Sequence, residues 1–174
     1  MIKPIVKLLN ALNGNLKKTQ IAAGFSWGIL LGLIPAGNVF WIVLFAVSFF
    51  FKNHHWSKLF AMAVVKVFLG ALNPAIDAAG WEILHAAALQ PLFISLYNMP
   101  FVPLTKFNNT LVAGGLCLGI GLWLPVFLLF MLFVPLYRDK LIPGLRKNKI
   151  YQKILKFPLF PVLGNIIKAA TAGK

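Results

Sequence analysis

The sequence has almost no negative charge. Asp77, Glu82 and Asp139 are the three acids, set against 17 lysines and arginines, for a formal net charge of +14 over 174 residues. Three carboxylates leave little with which to build general acid–base pairs. No nucleophile–base–orienter set, phosphate-cradling glycine loop or His-Glu-x-x-His pattern stands in the chain. The expectation is a protein that is not an enzyme and carries no cofactor. Cysteine is nearly missing too: Cys117 stands alone in an apolar run, which excludes an internal disulfide framework and a Cys-x-x-Cys metal pair. It reads as a small buried residue. Metal is equally poorly served. Glu82 and His85 share a helical face, with His54 and His55 elsewhere, and a lone pair of this kind does not make a site. Charge of either sign amounts to 11% of residues, against about 25% in soluble domains. No small-residue cleavage site follows Lys3 and Lys7, so no removable signal peptide is expected.

What is abundant is apolar side chain, 60% of the total. A water-soluble fold of this size has too much surface to hide it, so the bilayer has to serve as part of the solvent. The basic residues flank long apolar runs, an arrangement that suits anionic lipid headgroups at about 1 kcal/mol per residue near the surface. Nucleic acid is not an expected partner. The expected fold is an all-α integral membrane protein. It comprises broken or re-entrant helical hairpins over 17–137, an amphipathic interfacial helix over 1–16 and a basic amphipathic tail over 138–174.

Between Lys18 and Lys52 lie 33 residues without formal charge. One straight helix of that length would measure about 50 Å, against a hydrocarbon core of about 30 Å. Pro35, Gly37 and Asn38 interrupt the run, since proline removes a backbone donor and glycine and asparagine accept turn geometry. Two half-length helices, about 21–34 and 39–51, would return Lys52 to the side of Lys18; a single tilted, kinked span is the alternative. Gly24, Gly28 and Gly32 recur every four residues and form a flat strip for close helix packing. Residues 52–58 read as a polar interfacial loop. Asn73-Pro74 is expected to break the next run into helices of about 57–72 and 75–90. The uncharged stretch 107–137 starts at an N-cap, Asn108 or Asn109. It repeats the glycine spacing at Gly115 and Gly119 and meets Pro125, as either one kinked span or a second hairpin.

Lys66, Asp77 and Glu82 are the ionisable residues inside apolar segments, where such groups are costly and pair or mark function. A fold at Asn73-Pro74 would bring Lys66 to Glu82 as an ion pair, with a proton or substrate site and snorkelling as the other readings. Lys3, Lys7, Lys17, Lys18, Arg138, Lys140, Arg146, Lys147 and Lys149 are the candidates for headgroup binding. Basic segments at both ends predict both termini on the cytoplasmic side.

Ile21-Ala22, Gly24-Phe25, Gly28, Gly32, Pro35 and Gly37, followed by Lys52-Asn53, Asn73-Pro74 and Gly80, follow a recognisable pattern. The chain resembles an uncharacterised bacterial inner-membrane family of small proteins with a G-F-x-x-G-x-x-x-G-x-x-P core and a downstream Asn-Pro. The match is dense over 20–38 and thin beyond 80. The resemblance implies a non-enzymatic inner-membrane subunit that anchors or feeds a larger envelope partner in lipid handling. A small transporter or channel using Lys66, Asp77 and Glu82, as a homo-oligomer, is the alternative.

Overall fold

The structure, a computed structural model, describes residues 16–141. The expected interfacial helix with Lys3 and Lys7, and the tail with Arg146, Lys147 and Lys149, lie outside these residues. So does the side chain of Lys140. Among the described residues the chain forms helices and turns and no strand. The helices are α1 (Lys18–Leu33), α2 (Val39–Val47), α3 (His55–His85), α4 (Gln90–Tyr97) and α5 (Thr110–Leu136). Short 3-10 turns at Ala87–Leu89 and Val102–Thr105 flank α4, and a π turn at Tyr137–Leu141 follows α5.

α1 is the centre of the bundle. From Ile21 to Ile34 no residue is exposed, and only Ala23, Trp27 and Ile29 are even half-buried. A helix apolar on every side is one buried on every side. It runs parallel to α3, because Gly24, Gly28 and Gly32 meet Ser57, Ala61 and Val65 in order. A Cβ added at Gly24 would lie 2.6 Å from the His54 carbonyl oxygen, and one at Gly32 2.6 Å from Val65 Cβ. α5 runs antiparallel to both. Gly115 and Gly119 sit on Leu33 and Leu30, while Phe130 stacks on Phe25 with ring centroids 3.8 Å apart. Farther along, Gly80 of α3 meets the Thr110 backbone and Gly114 of α5 meets the Ile76 backbone. The two helices therefore touch main chain to main chain where they cross.

The chain leaves α1 at Ile34, turns through Gly37 at φ +90°, and enters α2 at Asn38, whose side chain accepts from Trp41 N. α2 lies back over Leu30, Leu31 and Ile34 through Phe40, Trp41, Leu44 and Phe45. The segment after it returns to the start of α1: His54 N–H donates to the Gln20 carbonyl at 2.9 Å. Lys52 is thus near the end of the bundle that carries Lys18.

One expectation is overturned and one open alternative is decided. Asn73-Pro74 does not break the chain: α3 is one helix of 31 residues with Pro74 inside it. Pro125 does not interrupt its helix, and of the two readings of 107–137 the single span holds: residues 110–136 form one helix of 27 residues that also contains Pro135. The carbonyls deprived of donors by Pro74 and Pro125 belong to Gly70 and Gly121, four residues earlier. Both glycines have open space around them, so the ring finds a carbonyl that can tilt outward without moving a packed neighbour. The second half of α3 is also packed against α5 at Gly80 and Gly114.

α3 and α5 are each long and apolar enough to cross a membrane, and most of their surface is outside the protein core. Large apolar side chains are exposed along both, including Val67 at 79% and Leu132 at 74%.

Candidate functional site

Helix α1 ends in the middle of the bundle, and its last carbonyls need donors. Pro35 cannot supply one to Leu31; the indole Nε1 of Trp41 does, at 2.9 Å. Asn38 Nδ2 donates to the Pro35 carbonyl at 2.8 Å. Lys66 Nζ, from α3, donates to the Ile34 carbonyl, where a cation also suits the negative end of the helix dipole. The turn is thereby closed by three side chains drawn from α2, α3 and the turn itself.

This placement corrects the expected Lys66–Glu82 pair. On a continuous α3 the two residues are separated by about 24 Å of helix. Glu82 is exposed, and Asp77 is the acceptor for Thr110 Oγ1 at the start of α5. Lys66, Asp77 and Glu82 therefore occupy three separate places. His85 turns away from Glu82, donating from Nδ1 to the Trp81 carbonyl at 2.9 Å and stacking on the Trp81 ring. Among the described residues, no group of three or more His, Cys, Asp or Glu side chains is arranged to hold a metal. Cys117 is exposed, where a buried residue was expected.

A second polar cluster occupies the end of the bundle near Lys18. The stretch 52–58 is not simply a loop: α3 starts at His55, and Ser57 and Lys58 are buried. Lys58 is only 1% exposed. Its ammonium donates to Ser48 Oγ at 2.7 Å and lies 3.9 Å from the Phe49 ring centroid. Ser48 Oγ donates in turn to the Phe45 carbonyl at 2.6 Å. Asn53 Nδ2 ties the Ser48 carbonyl to the loop at 2.6 Å. His54 caps α3, its Nδ1 accepting from Ser57 N at 3.2 Å and lying 2.8 Å from Ser57 Oγ. Burial, and then the neighbouring His55, hold the His54 imidazole below its usual pKa, in the neutral form that an acceptor requires.

Lys17 and Lys18 are exposed at the first turn of α1, next to a helix dipole that disfavours cations there. Arg138 Nη2, after α5, reaches the Leu16 carbonyl at 3.1 Å. One end of the bundle thus gathers Lys17, Lys18, Lys52 and Arg138. The opposite end has Asp77 and Glu82 towards the end of α3 and Lys106 in the loop before α5.

That opposite end contains a cleft of about 420 Å³ between the end of α3, α4 and the segment 107–110. Trp81, Leu84, Phe93, Tyr97 and Phe107 supply most of its wall, with Asn98, Asn108 and Thr110 among its polar groups. Sequence reasoning missed this cleft and the Lys58 cluster alike. The run Trp81, Phe93, Tyr97, Phe107 was visible, but the turns that gather it, with positive φ at Phe101 and Lys106, were not.

Together these features define an all-helical protein with a buried central helix, two long apolar outer helices and a side-chain-closed internal turn. The chain is 30% identical over 159 residues to an uncharacterized protein of Treponema pallidum (strain Nichols), an alignment covering 91% of this chain and 98% of that protein. It belongs to the same family as that protein. No family model matches the chain, and no solved structure matches it.

Proposed function

We propose that this chain is a non-enzymatic subunit of a bacterial inner membrane that anchors or feeds a larger envelope partner in lipid handling. The observation that carries the membrane part is the α1–α2 turn. Its Leu31, Ile34 and Pro35 carbonyls all take side-chain donors, which is what non-helical backbone needs where water is not at hand. The apolar surface of α3 and α5 supports the same reading. So does the uneven charge of the two ends, with the Lys17, Lys18, Lys52 and Arg138 end as the cytoplasmic one. Lys17 and Lys18 oppose their own helix dipole, and anionic headgroups give them a reason to be there. The α1–α2 unit is then a re-entrant hairpin, entering and leaving on the cytoplasmic side.

The role as a companion subunit draws on the resemblance at the G-F-x-x-G core and on the opposite end of the bundle, where α4 and its flanking turns form a platform beyond the turn of α1. The transporter alternative fits less well, because Lys66, Asp77 and Glu82 share no site. Purification of the tagged full chain from its native membrane in mild detergent tests the proposal. A much larger protein is expected in stoichiometric amount, and a stable monomer without it overturns the subunit role.

A further inference from the structure

We infer that the cleft between the end of α3, α4 and the 107–110 segment holds one acyl chain of an uncharged or zwitterionic membrane lipid. The inference rests on the membrane reading above and adds a ligand and a place for it. Leu84, Phe93, Ile94 and Phe107 give the cleft apolar walls, and its volume of about 420 Å³ is within the range of small-molecule sites. Trp81, Ile94 and Tyr97 line it and are also 55%, 59% and 55% exposed. They therefore form a mouth on the outer surface. Leu92 of the same helix α4 is exposed as well, and exposed Phe101 and Leu104 follow in the next turn. A surface of this kind rests against lipid, and tryptophan and tyrosine at its edge favour the level of the headgroups.

Charge decides between lipid classes. No lysine or arginine lines the cleft. The exposed carboxylate of Glu82 follows Trp81 directly, and Asp77 stands behind Thr110 through their hydrogen bond. A phosphate or carboxylate ligand would find no lysine or arginine in that lining; His85 does line the cleft, but its Nδ1 is bonded to the Trp81 carbonyl, and Lys106, just before Phe107, is balanced by the two acids at the same end. The neutral groups of Asn98 and Asn108 suit the ester and glycerol oxygens of a lipid whose net charge is zero.

The full chain, reconstituted in phosphatidylcholine vesicles with a small share of phosphatidylcholine bearing a diazirine on one acyl chain, tests this by irradiation and peptide mapping. Adducts at Leu84, Phe93 and Phe107 are expected to exceed by several-fold those at the outward-facing controls Ile42 and Leu132. Leu84→Trp, which fills the cleft, and Ile94→Trp, which crowds its mouth, are each expected to cut the cleft adducts several-fold and leave the controls unchanged. Adducts at the controls with none in the cleft, or cleft adducts untouched by both substitutions, overturn the acyl-chain site alone. No adducts at the controls either would overturn the membrane reading on which it stands.

Discussion

Lys58 shows how a charge can be kept inside an apolar bundle. Its ammonium has one hydroxyl acceptor, Ser48 Oγ, and the face of Phe49, which together replace part of its lost hydration. Ser48→Ala removes the acceptor and leaves a buried charge short of a partner. A loss of about 1–3 kcal/mol is expected, read as earlier thermal unfolding in detergent. Lys58→Met removes the charge as well, and replacement of buried charges by apolar groups is often neutral or stabilising. The Ser48→Ala loss should therefore disappear in the Lys58→Met background; an equal loss in both backgrounds would show that Ser48 acts elsewhere. His54 makes a different prediction. Its folded-state pKa is lowered, so the folded protein binds fewer protons than the unfolded chain below about pH 6.5. Stability is complete above that pH and declines as pH falls towards the lowered value. Unfolding temperatures at pH 5 should lie below those at pH 7.5, and His54→Asn, which keeps a capping acceptor that does not titrate, should flatten that slope.

At the scale of elements, small residues and prolines decide which helices touch and which pass by. Gly28 faces the Lys58 carbonyl, and a Cβ there would lie 2.6 Å from Ala61 Cβ. Gly28→Ala is expected to cost about 1–3 kcal/mol through overpacking. Gly121, in open space, should tolerate alanine and gain up to about 1 kcal/mol of helix propensity. Equal melting temperatures for the two variants would contradict the packing described. The glycine spacing at 24, 28 and 32 was readable because close backbone approach leaves a pattern every four residues. The turn at Pro35, Gly37 and Asn38 was readable because three turn-forming residues agree. Pro74 misled, and Pro125 left one span or two undecided, because proline's penalty depends on what stands four residues earlier. With Gly70 and Gly121 there, and a main-chain crossing at Gly80 and Gly114 to hold the helices, packing outweighs the local preference for a break. The same dependence hid the Lys66 contact: once α3 is continuous, Lys66 is aligned with the end of α1 rather than with Glu82.

For the whole molecule, the decisive quantity is on which side of the bilayer each end lies. α1 is a helix of 16 residues, about 24 Å long, and α2 carries the chain back until His54 bonds to Gln20. α3 then continues past the level of the α1 turn for the 19 residues that follow Lys66, to His85, about 28 Å. In the proposed membrane arrangement the α1–α2 hairpin never leaves the bilayer on the far side, whereas α3 does, and α5 brings the chain home to Arg138. Single cysteines test this directly. With the native thiol removed by Cys117→Ala, Lys18→Cys and Lys52→Cys should react with a membrane-impermeant maleimide from the same face of sealed vesicles, and Ala88→Cys from the other. Inverting the vesicles should exchange the two sets of labels. Labelling of Lys18→Cys and Lys52→Cys from opposite faces would make 18–52 a crossing segment, incompatible with the His54–Gln20 hydrogen bond. Labelling of Ala88→Cys on the same face as Lys18→Cys would instead leave the hairpin standing and remove α3 as a span. The far-side platform, and with it the place proposed for an envelope partner, would then be on the cytoplasmic side.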